Sequence, residues 1–135
     1  MAPPTDDPSV DRTEVLDAHA VAELAQLDPD GRGHLLERVM ATYLASLSRL
    51  MAELRQAQAR GDLNAMRHAV HTLKSSSASV GARELSSLCA QAEMAVRESQ
   101  LALLPDLLRR LVDEAGRVES AVRCMLPDPA TTPSR

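Results

Sequence analysis

Two side chains in this sequence stand out for chemistry: His71 and Lys74, three positions apart in the stretch from Asp62 to Gly81, DLNAMRHAVHTLKSSSASVG. Read as a helix, that stretch has two unlike faces. Met66, Ala69, Val70, Leu73 and Ser77 recur at helical spacing and form the side a core would take. At roughly 100° per residue, His71 lies about 140° from the centre of that stripe and is expected to face solvent. Asn64, Arg67, His68, Lys74, Ser75 and Ala78 share or border its face. Ser75 and Ala78 are short, so an imidazole among them stays open to a second large molecule. Lys74 is the only lysine; the other fourteen of the 15 cationic residues are arginines. Residues at i and i+3 on a helix have Cβ atoms about 5–6 Å apart. A flexible ammonium can therefore reach whatever the imidazole carries, and a phosphoryl group is the natural cargo for a point charge without a fixed fork.

The elements that must hold this face follow from the chain in order. Asp17 is placed to cap a short first helix that carries Val21, Leu24 and Leu27 inward. Asp28-Pro29-Asp30-Gly31 has turn chemistry. A long helix is predicted from about residue 33 to residue 60, with Leu36, Met40, Tyr43, Leu47, Leu50, Leu54 and Ala57 stepping by four and three along a bundle seam. Gly61 ends it, Asp62 caps the next helix, and the tight link makes the two antiparallel neighbours. Gly81 closes the His71 helix. A fourth helix is expected over residues 83–99 with Leu85, Leu88, Ala92 and Val96 inward, and a last one opens at Pro105 and ends before Pro127. The expected architecture is all-α: an antiparallel up-and-down four-helix bundle with a short extra N-terminal helix. Residues 1–12 and 127–135 read as disordered tails around a domain over 13–126.

Composition narrows the function classes. Hydrophobic residues make up 44% of the 135 positions, enough for one core, yet the only aromatic is a single Tyr, so Ala, Leu, Val and Met must fill the interior. The net charge of −4 and the lack of a basic block argue against nucleic acid as a partner. No apolar run suits a membrane span, and the first residues lack the features of a signal peptide. Cys89 and Cys124 form neither a CxxC pair nor a disulfide framework and read as two buried thiols in a reducing cytoplasm. No phosphate-cradling glycine loop or other nucleotide site is visible, so self-phosphorylation is not expected.

The string His71-Thr72-Leu73-Lys74-Ser75-Ser76-Ser77, followed by Val80-Gly81-Ala82, resembles the histidine-containing phosphotransfer (HPt) domain family, whose motif is H-x-L-K-G-S-S with a G-A pair soon after. Leu88-Cys89-Ala90-Gln91-Ala92-Glu93 stands for the family's L-C-x-x-L-E segment. Ser75 replaces the usual Gly and Ala92 an often-found Leu. The resemblance spans roughly residues 15–126. It implies a phosphocarrier without kinase activity of its own: Nε2 of His71 takes a phosphoryl group from the phospho-aspartate of a response-regulator receiver domain and passes it to another receiver. A hybrid sensor histidine kinase is the further implied partner. No cofactor of its own is implied, since Mg²⁺ belongs to the receiver. Lys74 would stabilise the phosphohistidine charge, and Glu93 would orient the ring through the other nitrogen; Gln91 or a backbone carbonyl could do the same. Asn64, Arg67, His68, Ser75 and Ala78 would form the docking surface. The alternative is an HPt-like interaction module that binds a receiver or sensor kinase without carrying phosphate.

The same residues also have blander readings. His68, His71 and Glu93 could suggest a metal site, but bundle metal ligands point inward from several helices, and both histidines are expected to face out. The leucine and methionine seams are core, or at most a dimer contact. The serine run is explained by small residues beside or beneath His71.

Overall fold

A computed structural model of the protein describes residues 15–126, and the expected tails at 1–12 and 127–135 lie outside the described residues. Five helices follow one another: α1 (Ala18–Ala25), α2 (Leu35–Arg60), α3 (Leu63–Ser79), α4 (Arg83–Arg97) and α5 (Leu104–Cys124), with a short 3₁₀ turn at Leu101–Leu103 before the last. The four long helices form the expected up-and-down bundle. Each packs on its chain neighbour, and α5 closes the ring against α2. The predicted α2 seam and the apolar stripes that face it are its core: Met40, Leu50 and Leu54 of α2, Leu73 of α3, Leu85 and Leu88 of α4, and Leu111, Val118 and Val122 of α5 are fully buried. Burying a Leu, Met or Val side chain stabilises by about 1.5–3 kcal/mol each, so these layers fix the register in which α3 and α4 face each other.

Local signals explain where the helices stop. At the α2–α3 link, Gly61 takes a left-handed conformation (φ 67°), and the Asp62 N–H reaches back to the Ala57 carbonyl. The Asp62 carboxylate then accepts from the Ala65 N–H at 3.0 Å and caps α3. At the end of α3, Gly81 is left-handed (φ 84°) and the Ala82 N–H returns to the Ser77 carbonyl. Ser99 does the same work for α4 without a glycine (φ 57°), with Gln100 N–H bonded to Ala95, so α4 ends at Arg97, two residues short of the expected boundary. The Asp28 carboxylate accepts from the Leu35 N–H, and α2 accordingly opens at Leu35 instead of residue 33.

Two residues depart from the sequence expectation. Leu27 is 70% exposed instead of inward, because α1 ends at Ala25 and the chain turns away before Leu27 can reach the bundle. Cys124 is exposed, not buried: it is the last residue of α5, beyond Val122 and off the buried stripe. Cys89 is buried as expected, and burial pushes its thiol up to about 12.

Short helix α1 is held at the α3–α4 turn. Asp17 caps it by accepting from the His19 N–H, donates its own N–H to the Gly81 carbonyl at 2.7 Å, and pairs with Arg83, whose Nε donates at 2.7 Å. Deeper in the bundle, the Tyr43 and Ser77 hydroxyls pair at 2.8 Å, so α2 and α3 share a satisfied polar contact within the apolar core.

Candidate functional site

His71 sits mid-way along α3, with Val70 and Leu73 on either side anchored in the core. Its side chain is 58% exposed. One edge of the ring is tied down: Nδ1 lies 2.8 Å from Oε2 of Glu93 on α4. Glu93 also receives Lys74, whose Nζ donates to Oε1 at 2.8 Å. One carboxylate therefore holds both residues, an oxygen for each.

Register produces this bridge. Ala92 and Leu88 are buried in the core, and Glu93 beside them reaches the side of α3 that carries His71 and Lys74. The Ser86 hydroxyl on α4 donates to the Lys74 carbonyl at 2.9 Å and fastens the two helices beside the site.

The Glu93 side chain is only 8% exposed, yet its carboxyl is held below the usual carboxylate range. The Lys74 hydrogen bond is the main cause, the His71 hydrogen bond adds to it, and together with the charges behind them they outweigh the desolvation that pushes the other way. Glu93 is then an acceptor only, so the proton of a neutral His71 belongs on Nδ1 and the lone pair on Nε2. No hydrogen bond among the described residues engages Nε2.

The remaining predicted residues fall where helical spacing puts them. Asn64, Arg67, His68, Ser75 and Ala78 are all exposed on α3. Arg67 leans toward Asn64, its Nη2 3.4 Å from Oδ1. Gln91 is not at the ring: it lies on the outer face of α4, with its amide on Ser87. An open groove beside His71, lined by Asn64, Arg67 and His68, has a second wall that sequence reasoning missed: Glu53, Gln56 and Arg60 of α2. Their spacing of three and four along the polar side of α2 was the available signal. Ser86 was also missed, for nothing in its sequence context sets it apart from Ser87. Among the described residues, no group of three or more His, Cys, Asp or Glu is placed to hold a metal ion, and no helix is long and apolar enough to cross a membrane.

Comparison with known proteins agrees with this arrangement. The family model for the Hpt domain matches residues 38–121, more than half of the chain. Among solved structures, the chain is similar to histidine-containing phosphotransfer protein B (HptB) from Pseudomonas aeruginosa PAO1, with a TM-score of 0.73 and 24% identity over 82% of this chain and 92% of that one. It is also similar to the HPT domain of an Hpt sensor hybrid histidine kinase from Shewanella, with a TM-score of 0.68 and 24% identity over 84% of this chain and 94% of that one. No curated protein matches the chain. On the strength of the family match, the chain belongs to the Hpt domain family, the phosphotransfer modules of two-component phosphorelays.

Proposed function

We propose that this protein is a phosphorelay intermediate whose phospho-acceptor is His71. A receiver domain charged on its aspartate would dock over α3, against Asn64, Arg67, His68, Ser75 and Ala78, with the α2 wall of the groove at the edge. Nε2 of neutral His71 attacks phosphorus in line. The N–P bond forms as the bond from phosphorus to the aspartyl oxygen breaks, and the electron pair of that bond stays with the aspartate carboxylate. The proton on Nδ1 remains on the ring, shared with Glu93. Ring charge rises as the N–P bond forms, so the Glu93 hydrogen bond strengthens toward the transition state, where it contributes most. The reverse sequence returns the group to a second receiver. Transfer of this kind is mainly positioning and charge balance, which a rigid bundle supplies. Mg²⁺ is assigned to the receiver and no cofactor to this chain. The reading puts the protein in the cytoplasm, as a partner of receivers and of a hybrid sensor kinase, with no kinase activity of its own.

The observation that carries this reading is the half-open ring of His71, tied at Nδ1 and free at Nε2. The test is to incubate the protein with receiver domains charged from labelled acetyl phosphate. Label should move to the protein in an acid-labile, alkali-stable form. The His71→Gln variant should take up none and keep its helical content, because the ring lies outside the core. Label retained by that variant would assign the acceptor to another residue. A protein that binds charged receivers yet never takes label would be an interaction module.

A further inference from the structure

We propose that the groove between α2 and α5 is where a second copy of this chain docks, about a two-fold axis that lays Arg55 of each copy against Glu119 of the other. The groove lies across the bundle from the α3–α4 pair that holds His71, so this docking neither uses nor blocks that ring.

The groove is open and sparsely charged. It encloses about 260 Å³ between Leu44, Met51 and Arg55 on α2 and Val112, Gly116 and Glu119 on α5. Met51 is part of its buried floor, while Val112 stays 41% exposed on the rim. Arg55 and Glu119 are the only charged residues that line it, and they stand at opposite ends. In the up-and-down bundle α2 and α5 run antiparallel, so Leu44, about three turns before Arg55, comes beside Glu119. Arg55 has no ion pair among the described residues; Glu53 and Asp62, on either side of it in sequence, are taken by Arg49 and Arg60. Glu119 holds Arg123 one turn on, an exposed pair of the kind that contributes little and exchanges readily.

A positive end and a negative end make the groove complementary to itself. A two-fold axis perpendicular to it reverses its direction, and the positive end of each copy then meets the negative end of the other. The uncharged middle, with Leu44 and Val112, is covered at the same time, and the charges fix the register. Gly116 points the same way. It sits inside α5, where glycine costs backbone entropy relative to alanine. Its own chain gives no reason for it: its φ is not left-handed, and a Cβ there would meet no atom within 4 Å. The close approach of a helix from a second copy supplies that reason.

Sedimentation velocity of the full chain tests this. Between about 1 μM and about 1 mM, the range of weak association, the unaltered chain should shift from the mass of one chain to that of two. Arg55→Glu and Glu119→Arg each set like charges together twice per dimer, and each alone should weaken pairing by more than about tenfold. Mixed in equal amounts, the two variants should pair with each other, since both contacts return with their signs exchanged. Gly116→Leu fills the space in front of α5; it should weaken pairing with helical content unchanged. A chain that stays single throughout the range, a dimer that survives both charge variants, or a mixture that stays single would overturn the proposal. Where the unaltered chain takes label from charged receivers, the three variants should take it equally. Loss of label in them would also overturn the proposal, because the groove would then serve a receiver and not a second copy.

Discussion

Among single residues, Glu93 ties the site together: a buried carboxylate with one oxygen on His71 and the other on Lys74. Its carboxyl is held below the ordinary value of 4.5 by those two bonds. A carboxyl with a lowered folded-state pKa contributes stability that is present above its unfolded value and lost as pH falls through the folded one. Acidification below 4.5 should therefore cost the protein stability that Glu93→Gln never had. Denaturation midpoints at about pH 7 and about pH 3 should draw the two proteins together at the lower pH; a constant gap would show that the charge of Glu93 does not matter to the fold. His71 and Lys74 were legible in the sequence because helix spacing alone sets their face and their separation. Glu93 was reached only through the family resemblance. The Lys74–Glu93 bond was not foreseen, because it depends on how far α4 slides along α3, and no spacing within either helix encodes that.

Helix ends and the turns between them decide where the site's two helices meet. Gly81 does this at the α3–α4 turn, with φ 84° and its carbonyl taken by the Asp17 N–H. A Cβ there would lie 3.0 Å from the Ala20 Cβ and 3.1 Å from the Asp17 N. Gly81→Ala should therefore destabilise by about 1–3 kcal/mol, combining a left-handed strain with displacement of α1. Hydrogen exchange should show α1 losing protection first; unaltered protection in α1 would mean that the Gly81 seat is not what holds it. The glycine stops at Gly61 and Gly81 and the Asp17 and Asp62 caps were legible, since each works through its own backbone angles or carboxylate. The stop at Ser99 was not, because a left-handed serine leaves no glycine to read. The inward reading of Leu27 failed for a related reason: periodicity was carried past the point where α1 had already ended.

At the scale of the whole molecule, the bundle is a stiff mount that offers one imidazole edge to a partner and keeps the other on an internal carboxylate. The four-helix arrangement was legible because its seams persist over several turns in α2 and α5 and each link between helices is short. The α2 wall of the groove, with Glu53, Gln56 and Arg60, emerged only when the helices were set side by side. In the proposed function, Nε2 of His71 takes the phosphoryl group. ³¹P and ¹⁵N NMR of the protein charged by a phosphorylated receiver tests it most directly. One phosphohistidine signal is expected, coupled to Nε2 of His71, with Nδ1 still protonated. Phosphorus on Nδ1, on His68 or another side chain, or on no residue at all would contradict it.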